Sequence, residues 1–337
     1  MHLGTSIYED FNIYEEELNC IAAMNLKKAI IITPTYMHNN DIQASGLWTR
    51  LKRWWRLRTK RLVTISKSDN PNTFFHVTVP FVIKTNQIIS DLLSKHHILG
   101  LCGISIHRSD AVEIAKKCIN MPNIIGIKLR NFELEEKING RIIPDASFKK
   151  RFEELIQLAH INHSVVLAHF VGHTDRYLDG DPDQTRMLVS IMNRYPNAKL
   201  VIAHSGVGSF VGLNGLEYIG NYYAENVTAP RNIYIDICKA FTMAGIGISW
   251  DGNQYIHNAV WSDAQEYIKA WKIFGIDRVL YGSAHGCDNH IVVGRHPDEL
   301  SIADCPYLTE SEKNKIYHEN AENLINKCSR PIQSLIP

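Results

Sequence analysis

The chain has 337 residues, 45% hydrophobic and 21% charged, the balance of a globular protein that buries a large core. Its formal net charge of +1 gives no argument for nucleic acid or a strongly acidic partner. No apolar run approaches the roughly 18 residues of a membrane span, and the first ten residues, without a basic start or an apolar stretch, do not read as a signal peptide.

In chain order, apolar runs alternate with helical periodicity. Residues 28–34 read as an early strand, 76–82 as the next, and 98–107 as a third that ends on His107. A helix over 110–120 leads to a strand over 123–130. A helix over 147–161 precedes a strand over 164–169, and a helix over 184–195, stopped by Pro196, precedes a strand over 198–204. A helix over 213–225 leads to a strand over 232–238, and a helix over 262–274 to one over 278–282. The C-terminal helix, 308–328, opens with the capping box Thr309/Glu312 and is predicted to run to 326. The alternation recurs about once every 30 to 40 residues and gives about seven or eight βα units, the sign of a parallel sheet. The expected architecture is α/β, a (β/α)8 barrel forming one domain over 1–337, with an insertion or lid over 35–75.

The seven cysteines (Cys20, Cys102, Cys118, Cys238, Cys287, Cys305 and Cys328) are odd in number, widely spaced and without a CxxC pair. They read as reduced thiols in a cytoplasmic protein, mostly buried, with Cys238 at a strand end.

Two continuous apolar runs end on His169 and His204. Such runs are strands buried on both faces, and an imidazole at their C-terminal end is not core material. In a barrel that edge is the active-site face, where side chains from several strands converge. The order of these ends suggests a metal hydrolase site. Lys128 and Arg130 alternate along one strand and share a face; Lys239 is another cation at a strand end. These cations fit an anionic group on a small-molecule substrate, although Lys128 could equally cap the barrel or pair with a carboxylate. His173 and His107 stand in or next to loops, and His285 and His290 follow the last strand at the mouth; a loop hydrogen bond is the alternative for each. His160 and His163 read as structural.

Residues 50–61 are the most unusual in composition: seven of the twelve are basic, with Trp54 and Trp55 among them and Trp48 just before. A surface for phosphates, nucleic acid or an acidic membrane, with stacking by the indoles, is one reading. A helix with inward tryptophans and solvated cations is the preferred one, since the whole chain is neutral. After an early strand, the segment would lie near the active-site face, as a lid over an anionic or peptide-like substrate or as a contact in a homo-oligomer.

The residues also carry a resemblance. The chain resembles the amidohydrolase superfamily, specifically the amidohydrolase-related branch that includes aminocarboxymuconate-semialdehyde decarboxylase. His2-Leu-Gly4 is similar to the end of the opening His-x-His-x-x-Gly, and Val166-Leu-Ala-His169 to the fifth-strand histidine. Leu200-Val-Ile-Ala-His-Ser-Gly206 is similar to the sixth-strand His-x-Gly, Val279-Leu-Tyr-Gly-Ser-Ala284 to the eighth-strand Gly-Ser-Asp, and Asn320-Ala-Glu-Asn-Leu324 to the closing helix. The resemblance implies one or two divalent metal ions, zinc first, held by His2 and His169. His204 would be a second ligand, or the group that handles a proton and steadies the oxyanion. Position 284 would be ligand and general base. In some binuclear relatives a strand-four lysine is carboxylated, a role open to Lys128. The implied reaction is hydrolysis of an amide, lactone or related C–N or C–O bond by metal-activated water. A non-oxidative decarboxylase of the same branch is the alternative, and a non-catalytic ligand-binding barrel a third reading. Two departures bear on this. The first histidine of the opening pair would precede Met1, so either the native start lies upstream or the site lacks a ligand. Ala284 stands where an aspartate is expected and can neither bind metal nor accept a proton, which reads as an engineered, inactivated form, or else as a naturally degenerate, metal-poor protein.

Overall fold

The structure, a computed structural model, describes residues 30–32, 83, 87, 90–91, 99–106, 108–134, 137–138, 141–142, 148–171, 180–237, 240–243, 248–250, 255–257, 260–282 and 302–328. The expected strand over 76–82 and the insertion over 35–75, with its Arg/Trp segment, lie outside the described residues.

The chain runs β1 (Ile30–Ile32), β2 (Leu99–Gly103), α1 (Ala111–Cys118) and β3 (Ile124–Phe132). A short hairpin, β4 (Lys137–Ile138) with β5 (Arg141–Ile142), precedes α2 (Lys149–Ile161) and β6 (Val165–Phe170). Then come α3 (Pro182–Arg194), β7 (Lys199–Ile202), α4 (Gly212–Glu225), β8 (Ile233–Asp236) and α5 (Ala240–Met243). A second hairpin, β9 (Ile248–Trp250) with β10 (Tyr255–His257), leads to α6 (Gln265–Phe274) and β11 (Val279–Leu280). The expected terminal helix is broken in two, α7 (Glu310–Asn314) and α8 (Asn320–Asn326), by a π-turn over Lys315–Glu319. Local signals place several of these boundaries. Asp181 caps α3 by accepting from the N–H groups of Asp183 and Gln184, with Pro182 in the first turn. Thr309 and Glu312 form the expected capping box of α7.

Seven strands pair in parallel in the order β1-β2-β3-β6-β7-β8-β11. The order never reverses. Right-handed crossovers therefore lay every connecting helix on one face, whereas a doubly wound sheet reverses once and covers both. The core records this. Val166, Ala168, Leu200 and Ile202 join the layer facing the helices, while Val165, Leu167, Val201 and Tyr234 gather separately on the other face. A face that is buried without crossover helices is covered by the sheet curling onto itself, and the fold is a (β/α)8 barrel.

The inner face is closed at one end by the C-terminus. Leu324 and Ile325 of α8, and Cys328 just beyond it, pack with the inward residues. Cys328 and Lys327 act electrostatically on Lys199, the first residue of β7, so this plug sits at the N-terminal ends of the strands. It is tied to β11 by Asn320, whose amide donates to the carbonyls of Ile276 (2.6 Å) and Val279 (2.8 Å). The π-turn frees the Ile316 carbonyl, which accepts the N–H of Tyr281 at 2.9 Å, just past β11. In the helix-facing layer, burial pushes the Cys102 thiol well above its ordinary range, assisted by a hydrogen bond with Cys118. The four described cysteines are buried thiols outside any disulfide. Among the described residues no helix is long and apolar enough to cross a membrane.

Candidate active site at the C-terminal ends of the strands

Along β6, Val165 and Leu167 face inward, and His169 continues that alternation at the strand's end, half-buried. It stands in register with Arg130 of β3. Two residues earlier, Lys128 pairs with Leu167 on one side and with Gly103 of β2 on the other. Lys128 is only 2% exposed, so a cation lies deep in the barrel just below the histidine level.

His204 reaches the same place by a different route. β7 ends at Ile202, and His204 (φ 56°, ψ 34°), Ser205 (φ 52°, ψ 29°) and Gly206 (φ 72°) follow in the left-handed region. For a residue with a side chain that conformation costs about 1–2 kcal/mol, so two in succession need holding. Glycine suits the third, since a Cβ there would also approach Val211 Cβ to 3.2 Å. The holding comes mainly from Asp236, the buried last residue of β8. Its Oδ1 accepts the His204 N–H at 3.0 Å, and its carbonyl accepts the Ser205 hydroxyl at 3.3 Å. The His204 carbonyl accepts the Val207 N–H at 2.9 Å, and the Ser209 hydroxyl donates to the Gly206 carbonyl at 2.6 Å. So fixed, the two imidazoles meet edge to face, with ring centroids 4.7 Å apart and planes at 78°.

The surrounding edge is braced by polar contacts. The side-chain Oε1 of Gln184 accepts the Leu134 N–H at 3.0 Å, and its Nε2 donates to the carboxylates of Glu133 and Asp181, both at 3.4 Å. Asp181 N–H donates in turn to the Phe210 carbonyl. The strand-three exit, the start of α3 and the loop after β7 are thereby locked together. Beyond β2, Arg108 makes two 2.7 Å hydrogen bonds to the carboxylate of Asp110.

Sequence reasoning singled out His169, His204, Lys128 and Arg130, and the structure brings them to one end of the barrel. His2, His173, Lys239, Ala284 and His285, with His107, Cys238 and His290, lie outside the described residues. Asp236 was missed. The signal was present: Ile-Tyr-Ile-Asp236 is an apolar run ending on a polar residue, the same criterion that picked out the two histidines.

The chain matches the family described as "Amidohydrolase" over residues 109–327, and it belongs to that family. No curated protein matches it. Solved structures give distant likenesses. One is 2,6-dihydroxybenzoate decarboxylase complexed with 2,6-dihydroxybenzoate, at 15% identity and a TM-score of 0.45, covering 74% of this chain and 77% of that one. Another is a probable 2-pyrone-4,6-dicarboxylic acid hydrolase from Acinetobacter baumannii with citric acid bound, at 14% and 0.45, covering 96% and 97%. A third is a mutant 5-carboxyvanillate decarboxylase from Novosphingobium aromaticivorans with bound manganese, at 13% and 0.46, covering 94% and 81%. At these scores they carry no argument about activity.

Members of this family are metal-dependent enzymes, so the donors bear on which residues fit an ion. Two adjacent imidazoles are suitable donors for zinc or a similar divalent ion. Asp236 already has one oxygen committed to the His204 backbone. Among the described residues no group of three His, Cys, Asp or Glu side chains is placed to hold an ion. His169 and His204 thus fit as part of a donor set, with His2 the further histidine expected from the sequence.

Proposed function

We propose that this chain is a metal-dependent hydrolase that cleaves an amide, lactone or related C–N or C–O bond in a small anionic substrate, here in a form inactivated by alanine at position 284. The observation that supports the reading best is the meeting of His169 and His204 at the C-terminal mouth of an amidohydrolase-family barrel. His169, with His2 and His204, would hold one or two ions, zinc first. Such a metal, when bound, supplies Lewis-acid polarisation of the scissile carbonyl and an activated water. His204, fixed at its backbone, is suited to steady the developing oxyanion. Lys128 and Arg130, together with His173, Lys239 and His285, would bind the substrate's anionic group, and burial strengthens the pull of Lys128 on it. An aspartate at 284 would take the proton from water; Ala284 cannot, so this form would bind substrate and turn it over poorly.

Decarboxylation is the second reading, favoured by the deep cation Lys128, which suits a substrate carboxylate. There the carboxylate leaves as carbon dioxide and a proton takes its place. The test is metal content (zinc, manganese, iron) by mass spectrometry on this chain and on Ala284→Asp. The Asp form is expected to hold about one or two ions per chain and this form fewer. If neither holds metal, the enzyme reading fails and the barrel is a ligand-binding protein. Given turnover by the Asp form, carbon dioxide release separates decarboxylation from hydrolysis.

A further inference from the structure

Three observations converge on Asp236. It ends β8 on the inward face, two residues beyond inward Tyr234 and in register with Leu280, and is 5% exposed. Its carboxylate accepts the main-chain N–H of His204. Its own carbonyl accepts the hydroxyl of Ser205, the other residue with a side chain in the left-handed pair. A backbone held in a sparsely populated conformation relaxes unless neighbours over-determine it. Here the two contacts to β8 fall on the two residues that carry the strain. We propose that Asp236 is a positioning residue: through the His204 N–H it fixes the left-handed turn that sets the His204 ring against His169. It acts as an acceptor for the backbone, a task that does not require its charge. The proposal rests on His204 being a site residue, but not on a metal being bound.

The distinction between acceptor and charge gives the test. Asp236→Asn keeps an oxygen that can accept the His204 N–H; Asp236→Ala removes it. With selectively protonated histidine in a deuterated background, the rings of His169 and His204 are close enough to give a cross-relaxation signal in the unsubstituted protein. Amide exchange at His204 reports the hydrogen bond itself, and thermal melting reports folding. The expected result is that Asp236→Asn retains the inter-ring signal and the protection of His204. Asp236→Ala, still folded, should lose the signal and exchange at His204 at least tenfold faster. Retention of the ring contact in Asp236→Ala overturns the proposal, as does its absence in the unsubstituted protein. If Asp236→Ala does not fold, Asp236→Asn decides: retained contact and protection support the acceptor role, and their loss refutes it. None of these readouts uses metal, so they separate this proposal's failure from that of the metal-enzyme reading.

Discussion

At the C-terminal ends of its strands the barrel gathers polar side chains by bending the backbone; at the N-terminal ends it packs apolar side chains against a helix. The upper end holds a left-handed pair at His204 and Ser205, a buried carboxylate turned onto a main-chain N–H, and two facing imidazoles. At the lower end Leu324 and Ile325 pack with Leu99, Leu101 and Val165, and the left-handed residues there, Asn123 (φ 57°) before β3 and His163 (φ 49°) before β6, stand singly rather than as a pair. The same wall of strands therefore supplies apolar packing at one end, while the one described run of two successive left-handed residues with side chains falls at the other. Such a division is expected where function sits on strand ends over a packed interior.

The largest expected effect tests that division directly. Leu324, 1% exposed, fills the plug, and Leu324→Ala should cost about 2–5 kcal/mol in urea denaturation through lost transfer energy and a residual cavity. His169→Ala, half-buried at the mouth, should change stability by less than about 1 kcal/mol while removing a proposed ligand. Equal losses in the two variants would show that the mouth is as much a stability element as the base.

How far these ends could be read from sequence follows from what each depends on. Strand and helix order came from periodicity, which local composition carries directly. The helices after 147, 184 and 213 begin within two residues of their expected starts. His169 was legible because a polar residue ending an apolar run has few structural reasons to be there. The position of His204 was legible, but its conformation was not: the expected strand to 204 stops at Ile202, since Asp236 sits 32 residues away and only the fold brings it to the turn. The break in the terminal helix was likewise hidden. The π-turn answers to Tyr281 N–H, a partner on another element, while Thr309 and Glu312 signalled only the helix start. Arg278, expected to open the last strand, instead precedes it in a single tight turn.

A second, smaller effect sharpens the contrast through pH. At the base, burial pushes the Cys328 thiol up from its ordinary 9.0 to about 11, with Lys199 opposing the shift. Tyr234 is raised by burial and then by Asp277. A thiol held protonated in the folded state leaves stability intact below the unfolded value. Above about pH 9 the unfolded chain releases its proton first, and stability falls as pH rises toward about 11. The Cys328 contribution is on the order of 2–3 kcal/mol when complete. Urea midpoints from about pH 8 to about pH 10.5 should therefore fall less steeply for Cys328→Ala than for the unsubstituted protein. Parallel curves would mean that water reaches the thiol and that the plug is looser than its packing implies.

A third effect concerns a charged side chain that the base buries. Arg278 is 4% exposed and lies between the rings of Tyr223 (4.6 Å to the centroid) and Phe274 (4.3 Å), with its Nε and Nη1 buried and without hydrogen-bond acceptors. Burial lowers its pKa, against the raising influence of Tyr223. Two stacked contacts stabilise by about 0.5–2 kcal/mol each, and two unsatisfied donors cost about 1–3 kcal/mol each, so charge and desolvation nearly cancel. What remains is the volume of the side chain. Arg278→Met keeps most of that volume and should shift the urea midpoint by the equivalent of less than about 1 kcal/mol in either direction. Arg278→Ala opens a void between the two rings and should lose about 2–4 kcal/mol. A loss in the Met variant as large as in the Ala variant would mean that the guanidinium charge itself holds the rings together. The base would then rest on a buried cation rather than on apolar packing alone, and the two ends of the barrel would differ less in kind than in the partner chosen for the buried charge.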